Sequence, residues 1–266
     1  MNNNAGKLRQ YINDFRKYKD LLKLLVMKTV KLKYRRSFLG YLWSVLNPLL
    51  IMVVMTIVFS AMFSRSIENF PVYLFCGQLL FNFMNQSTHQ ATHSITGNAA
   101  LLKKAYVPKY IFTVARVTSC AVDMVFSFGA LLIVMIATGA PFSWYNLLFP
   151  LVIVQLYFFC IGLGMFLAQA SVFFRDVEFI YNAVTTAWMY LTPIFYPIEA
   201  LPEIVANLIR TLNPMYFYVS QFRDLIYIGQ MPSLYNVVSG CIAAVVMMFI
   251  GVWCFMKTED NFIMHI

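Results

Sequence analysis

Formal charge is scarce in this sequence. Only 12% of its 266 residues are Asp, Glu, Lys or Arg, about half of the roughly 25% that a soluble domain carries. That shortage excludes an ordinary water-solvated domain. Acids are scarcer still, 11 against 20 Lys and Arg, and no DxD pair occurs. Paired acids at a membrane face would mark a membrane-embedded glycosyltransferase or polymerase, so that reading is the weaker alternative. No GxxxxGK[ST] loop is present, so this chain cannot hydrolyse ATP by that route. The five cysteines (Cys76, Cys120, Cys160, Cys241, Cys254) lie in apolar segments with no CxxC pair. Neither a zinc site nor a disulfide framework is indicated, and they read as small packing residues. His89 and His93 have metal-ligand spacing but no HExxH pattern or neighbouring carboxylate. They read as partners inside a helix bundle, with no metal or cofactor held by the chain.

What is present is apolar. Hydrophobic residues make up 61% of the chain, with 25 Phe, 16 Tyr and 16 Met, and several runs are long enough to cross a bilayer. The chain reads as an all-α integral membrane protein. No cleaved signal peptide is expected, because the first apolar run begins only near Phe38. The cations are unevenly placed: residues 1–36 hold 11 of the 20, against Asp14 and Asp20. A net charge of +9 spread over a soluble surface would suggest nucleic acid. Concentrated beside a span, it reads as topology and attraction to anionic lipid, without nucleic acid.

Residues 11–33 carry an amphipathic pattern, with Phe15, Tyr18, Leu22, Leu25, Thr29 and Leu32 in steps of three and four and cations around that stripe. The pattern predicts a basic helix lying in the membrane interface. Residues 1–37 thus form an interface region and 38–266 the membrane domain. Spans are expected over about 38–63, 71–97, 110–138, 146–174, 180–196 and 234–256. The second is apolar only to Met84, and its continuation NQSTHQATHSITGN (85–98) is polar but uncharged. Such a half must face protein or a water-filled cavity. Asp123 within the third span reads either as part of a hydrogen-bond network with Arg116 or as a proton relay.

Between the last two spans, Leu201, Ile204, Val205, Leu208, Ile209 and Leu212 predict one amphipathic helix too short to cross, broken by Pro214. A re-entrant helical hairpin over about 197–230 suits this better than two more spans. With six spans, 17 cations fall on one side and three (Arg65, Arg210, Arg223) on the other. The positive-inside rule then places both termini in the cytoplasm.

Three stretches carry a resemblance. LKYRRSFLGYLWSVLNPLLIMVVMTIVFS (32–60), NAALLKKAYVPKYIF (98–112) and SVFFRDVEFI (171–180) resemble the membrane permeases of ABC transporters that export bacterial polysaccharides, closest to the O-antigen and teichoic acid branch, with the capsule exporters neighbouring. The resemblance covers nearly the whole chain; the first stretch is the most specific. It implies a multi-pass protein of the bacterial inner membrane, paired as a homodimer and joined by two copies of a cytoplasmic ATPase that binds the ATP and Mg. It further implies a channel for a glycan on undecaprenyl pyrophosphate. An ABC exporter of drugs or small lipids is the third alternative, opposed by the cationic collar before LGYLWSVLNP.

Site residues follow from that resemblance. Lys33, Arg35 and Arg36 are either a topology collar or the cations that capture the carrier pyrophosphate, with Leu39 and Gly40 turning the chain at the lipid entrance. Tyr41, Trp43, Phe59, Phe63, Trp188, Tyr190, Phe195 and Tyr196 either pack or line the channel, where ring faces stack on sugars. A coupling helix over about 98–108 would dock the ATPase through Leu101, Leu102, Ala105, Tyr106 and Val107, with Lys103 and Lys104 toward solvent. Arg175 and Asp176 would organise the nearby end of the fourth and fifth spans.

Overall fold

A computed structural model describes residues 17–35, 39–63, 67–104 and 107–265, setting aside the side chains of Tyr34, Tyr41, residues 60–63, Ile263 and His265. Of the residues named above, Asp14, Phe15, Arg36, Phe38, Arg65, Ala105 and Tyr106 lie outside the described residues, as do the side chains of Tyr41 and Phe63. Among the described residues there are helices and no strand. The helices of ten or more residues are α1 (Lys19–Tyr34), α2 (Trp43–Phe63), α3 (Phe70–Thr92), α4 (Tyr110–Ala137), α5 (Phe149–Phe173), α6 (Val177–Leu191), α7 (Glu203–Leu212), α8 (Pro214–Arg223) and α9 (Leu234–Thr258). Among the described residues, three stretches are long and apolar enough to cross a membrane: Tyr110–Ala137, Trp144–Phe173 and Leu234–Asn261. The apolar part of α2, Trp43–Phe59, is shorter, and α6 has 15 residues, about 22 Å of helix.

Helix α3 is the centre, packed on α2, α4, α5, α6 and α8. Its second half is the uncharged polar stretch, and one side of it is buried: Ser87, Thr88 and Thr92 are at most 1% exposed. Burial is tolerated because each hydroxyl finds a carbonyl one turn back. Ser87 Oγ donates to Met84 O at 3.0 Å, Thr88 Oγ1 to Met84 O at 2.7 Å, and Thr92 Oγ1 to Thr88 O at 3.0 Å. Ser171 of α5 then donates to Thr92 O at 2.6 Å, tying the two helices together.

Helices α5 and α9 approach through glycine. A Cβ on Gly251 would lie 2.0 Å from Gly162 O, and one on Gly162 would lie 2.4 Å from Met247 O. Without side chains the backbones meet, which gives dispersion contact where apolar burial drives no association in lipid.

Helix α1 packs along the first half of α4. Tyr18, Leu22 and Leu25 turn to the core and Thr29 is half-buried, whereas Leu32, placed on the same stripe by its spacing, is 55% exposed. At the end of α1, Lys33 Nζ meets Asp123 Oδ2 at 2.7 Å. Asp123 thus has a partner on α1, which the seven-residue spacing to Arg116 did not point to.

The segment between α6 and α9 is a pair of short helices. Pro214 opens the second helix, where its missing N–H is harmless. Asn213 caps it, accepting from Met215 N at 3.0 Å. In α7, only Ala206 and Ile209 are buried, while Ile204, Leu208 and Leu212 are 86%, 59% and 68% exposed. Most of the apolar stripe thus faces outward and the inner face is narrow. Helix α8 is largely buried against α9, α3 and α5.

Candidate functional site

The two ends of the bundle differ in chemistry. At one end, His93 follows α3, Arg175 and Asp176 form the α5–α6 turn, and Lys109 donates to Glu259 O. At the other, Tyr227 donates to Glu68 O, Asn69 Nδ2 to Thr138 Oγ1 at 3.0 Å, and Ser143 Oγ to Gly229 O at 3.4 Å. These are the basic end and the hairpin end.

A polar groove runs between them. Along α3 and its C-terminal cap, Asn82, Gln86, His89 and His93 step by four, three and four, so they share one face. Asn82 and Gln86 are exposed, although their neighbours Phe81, Phe83, Met84 and Ser87 are buried. Helix α6 borders this face. Tyr181 OH donates to Thr88 Oγ1 at 2.7 Å, and His89 Nε2 lies 3.4 Å from Thr185 Oγ1, its ring centroid 4.9 Å from that of Tyr181. Glu178 reaches His93 Nε2 at 3.1 Å, so the flank of α6 carrying Glu178 is the one turned along the polar face of α3. Asn182 and Thr186 continue that flank at steps of four and are exposed. The opposite flank of α6 is apolar and exposed, with Ile180, Val184 and Leu191. Helix α2 forms the other wall. Pro48 shares a cavity of about 50 Å³ with Gln78, Asn82, Gln86 and Asp123.

Amide and hydroxyl side chains offer both donors and acceptors. Left against hydrocarbon they would lose those bonds at about 1–3 kcal/mol each. The groove is therefore suited to water or to a hydroxyl-rich ligand. The two histidines meet a hydroxyl and a carboxylate, and among the described residues no cluster could hold a metal ion.

Four of the aromatic residues gather at the hairpin end of this groove. Phe59 stacks on Phe195 at 5.1 Å, Tyr190 lies 6.3 Å from Phe195, and Tyr196 OH donates to Tyr190 O at 2.6 Å. Tyr190 is the exposed member, at 60%, and Phe195 is buried. Trp188 turns the other way, donating from Nε1 to Asn213 Oδ1 at 2.8 Å and lying edge-on to Phe159. It braces the hairpin. Trp43, 43% exposed, lies at the opposite end of α2 from Phe59.

At the basic end, Gly40 has φ +49°, a left-handed turn with nothing within 4 Å of a Cβ. Its role is chain reversal, since open space excludes a close approach. Leu39 is half-buried there and Arg35 is exposed at the end of α1. Lys33 is committed to Asp123. The helix read over 98–108 is one turn, Ala99–Leu102, with Leu101, Lys103 and Lys104 exposed. Leu102 is 6% exposed and part of the core, so it anchors the turn from below and offers no docking surface. Arg175 and Asp176 are exposed in the α5–α6 turn.

One residue carried no functional signal in the sequence. Arg223, placed outside as a topology charge, is 8% exposed. Its guanidinium donates to Tyr73 O, Pro193 O and Ile194 O at 3.3, 2.7 and 3.0 Å and lies 3.5 Å over the Tyr73 ring. Backbone carbonyls have no sequence signature, so only the unusual Arg223-Asp224 pair inside an apolar segment could have flagged it.

The sequence matches the profile of the ABC-2 type transporter over residues 20–227. The chain belongs to the ABC-2 type transporter family. Among curated relatives it is 29% identical over 252 residues to an O-antigen export system permease protein RfbA of Myxococcus xanthus, covering 94% of this chain and 97% of that one. It is 28% identical to an RfbA of Klebsiella pneumoniae (79% and 81% covered) and 22% identical to the capsule polysaccharide export inner-membrane protein CtrC of Neisseria meningitidis serogroup A (77% and 78%). The ABC-2 match takes in α1 through α8, and with them both walls and the floor of the groove; α9 lies beyond it.

Proposed function

We propose that the chain is the membrane subunit of an ATP-driven exporter. It moves a polysaccharide linked to undecaprenyl pyrophosphate from the cytoplasmic to the outer face of the bacterial inner membrane, through a channel completed by two copies. The observation that carries this is the groove: exposed Asn82, Gln86, Asn182 and Thr186 on one side of a membrane helix bundle. A second copy set against that side would enclose a water-filled path for sugars while leaving apolar faces to lipid. The names of the relatives support a glycan as the cargo.

In this reading α2, α3, α4, α5, α6 and α9 are six spans, α7–α8 is a re-entrant gate on the outer side, and both termini are cytoplasmic. Arg35 attracts the pyrophosphate at the basic end, near the Gly40 turn, and Arg36, outside the described residues, takes the same role in this reading. Two copies of a separate ATPase bind ATP and Mg, and the exposed Leu101 docks one of them. Tyr190 offers a ring face near the exit. A capsule polysaccharide is the second candidate cargo, supported by relatives of lower identity.

Cysteine accessibility tests the channel. In a background with Cys241 and Cys254 replaced, Asn182→Cys should react with a membrane-impermeant maleimide and join two copies through a short bis-maleimide. Val245→Cys on α9 should do neither. Normal export with an unreactive Asn182→Cys would overturn the channel placement. Which surface glycan a deletion strain loses decides between O-antigen and capsule.

A further inference from the structure

At the hairpin end, apart from the groove, a cavity of about 290 Å³ opens between the start of α3, the segment after α6 and α8. Its back wall is rigid. Arg223 is held by three backbone carbonyls and covers one face of Tyr73 at 3.5 Å. Tyr73 OH donates to Tyr196 O at 3.1 Å, Tyr227 OH donates to Glu68 O, and the two rings meet edge-on at 5.6 Å. These groups are spent on each other and fix the shape.

The remaining lining is chemically available. Tyr216 is half-exposed and makes no side-chain hydrogen bond to a described residue. The Glu199 side chain is 74% exposed, with its nearest cation, Arg210, at 3.8 Å. Asp224 accepts from Gln230 Nε2 at 3.5 Å and from the backbone N–H of Ser233, which leaves further lone pairs on its two oxygens. Ser220 Oγ accepts from Asn236 Nδ2 at 3.0 Å, leaving its own O–H to donate. Arg223 has five N–H groups and uses three on the carbonyls.

The geometry points to a subsite for one neutral pyranose unit in this cavity. A pyranose has an apolar C–H face for the Tyr216 ring and hydroxyls that donate to Glu199 and Asp224 while accepting from Ser220. An anionic group would meet two carboxylates against the one guanidinium of Arg223, and a purely apolar one would leave the Ser220 O–H and the spare Arg223 N–H groups without partners. The volume lies at the lower end of small-molecule pockets, roughly 300–1,000 Å³, which suits one ring and not a chain of them. The assignment makes the hairpin end a resting point for the exported glycan; it rests on the export reading for that role, though not for the binding itself.

Saturation-transfer NMR on the purified full-length protein in nanodiscs tests it. The probes are the methyl glycosides of mannose, galactose and N-acetylglucosamine, with glucose 6-phosphate as the anionic comparison. At least one glycoside should receive saturation at its ring C–H protons, and glucose 6-phosphate should not. The signal should fall at least about fivefold in Tyr216→Ala and in the Glu199→Gln/Asp224→Asn double variant, as expected for one lost stacking face or one pair of hydrogen bonds. Tyr216→Phe, which keeps the ring, should retain most of it and guards against misfolding of the alanine variant. No transfer to any glycoside, or transfer undiminished in both Tyr216→Ala and the double variant, would overturn the subsite. Either result leaves export untouched, because export is read from surface glycan in cells; a protein that binds sugar but exports none would fault the export reading alone.

Discussion

Helices α3 and α9 are similar in length, 23 and 25 residues, and opposite in everything else. Helix α3 carries Gln78, Asn82, Asn85, Gln86, His89 and Gln90, yet most of its residues are buried at the centre of the bundle. Helix α9 is among the most apolar stretches, yet only Asn236, Gly240, Ala244, Gly251 and Phe255 are buried. In a soluble protein the assignment would be reversed. Here the solvent is hydrocarbon, so apolarity earns no burial and polarity demands it. What holds α9 in place is accordingly small residues at steps near four that let α5 come close. What holds α3 is a set of hydroxyls bonded one turn back, plus a face of amides that protein or water must cover.

The contrast can be broken at the glycine contact first. Gly251→Leu puts a side chain where Gly162 O already sits, so α5 and α9 must separate, at a cost above about 3 kcal/mol. Little folded protein should reach the membrane, measured as detergent-extracted monodisperse yield. Gly129→Ala in α4, with nothing within 4 Å of its Cβ, should be neutral or slightly stabilising. Equal yields for the two would mean that close backbone approach is not what seats α9.

Arg223→Met is the next largest effect. It leaves the carbonyls of Tyr73, Pro193 and Ile194 without their donor, a loss of about 3 kcal/mol or more. Thermal unfolding should drop sharply, with Arg223→Lys intermediate because one ammonium cannot span three acceptors set for a planar fork. A smaller, sign-reversing pair addresses α3 and α9 directly. Asn82→Leu/Gln86→Leu should leave stability within about 1 kcal/mol of the natural protein while reducing export. Val245→Asn on the exposed face of α9 should lower stability by about 1–3 kcal/mol with export per folded molecule unchanged. If both changes acted alike, the two faces would be meeting the same medium.

Much of this was legible from residue order. Apolar runs bounded by Gly, Pro and charge located the long helices, and the polar but uncharged stretch after Met84, expected to face protein or a water-filled cavity, has Ser87, Thr88 and Thr92 buried in the bundle and Gln86 exposed. The rest depended on partners without a sequence signal. Arg223 was counted as an outside charge because its partners are carbonyls, which every residue has. In α7 the stripe of Leu and Ile was visible, but amphipathicity does not say which medium the apolar side meets; Ile204, Leu208 and Leu212 face outward and Ala206 with Ile209 packs inward. The amide groove was half visible. The spacing of Asn82, Gln86, His89 and His93 was there to read, but only Glu178 against His93 shows which flank of α6 lies beside it.

The smallest effect concerns the Lys33–Asp123 contact, and it separates two roles for one cation. Asp123 is 13% exposed at its side chain and Lys33 41% exposed, so the pair is partly screened and contributes on the order of 1 kcal/mol. Read as a capturing cation rather than a collar, Lys33 would wait at the entrance for a pyrophosphate. Bonded at 2.7 Å across 90 residues, it instead pins the end of α1 to α4, and Arg35 is the exposed cation described beside it. A double-mutant cycle distinguishes these. Lys33→Met and Asp123→Asn should each lower the melting temperature slightly, the double variant should fall no further than either single one, and Lys33→Arg should recover part of the loss. If Lys33→Met left melting unchanged and abolished export, the ammonium would be acting on substrate, and the link between α1 and α4 would have to come from the Tyr18, Leu22 and Leu25 packing alone.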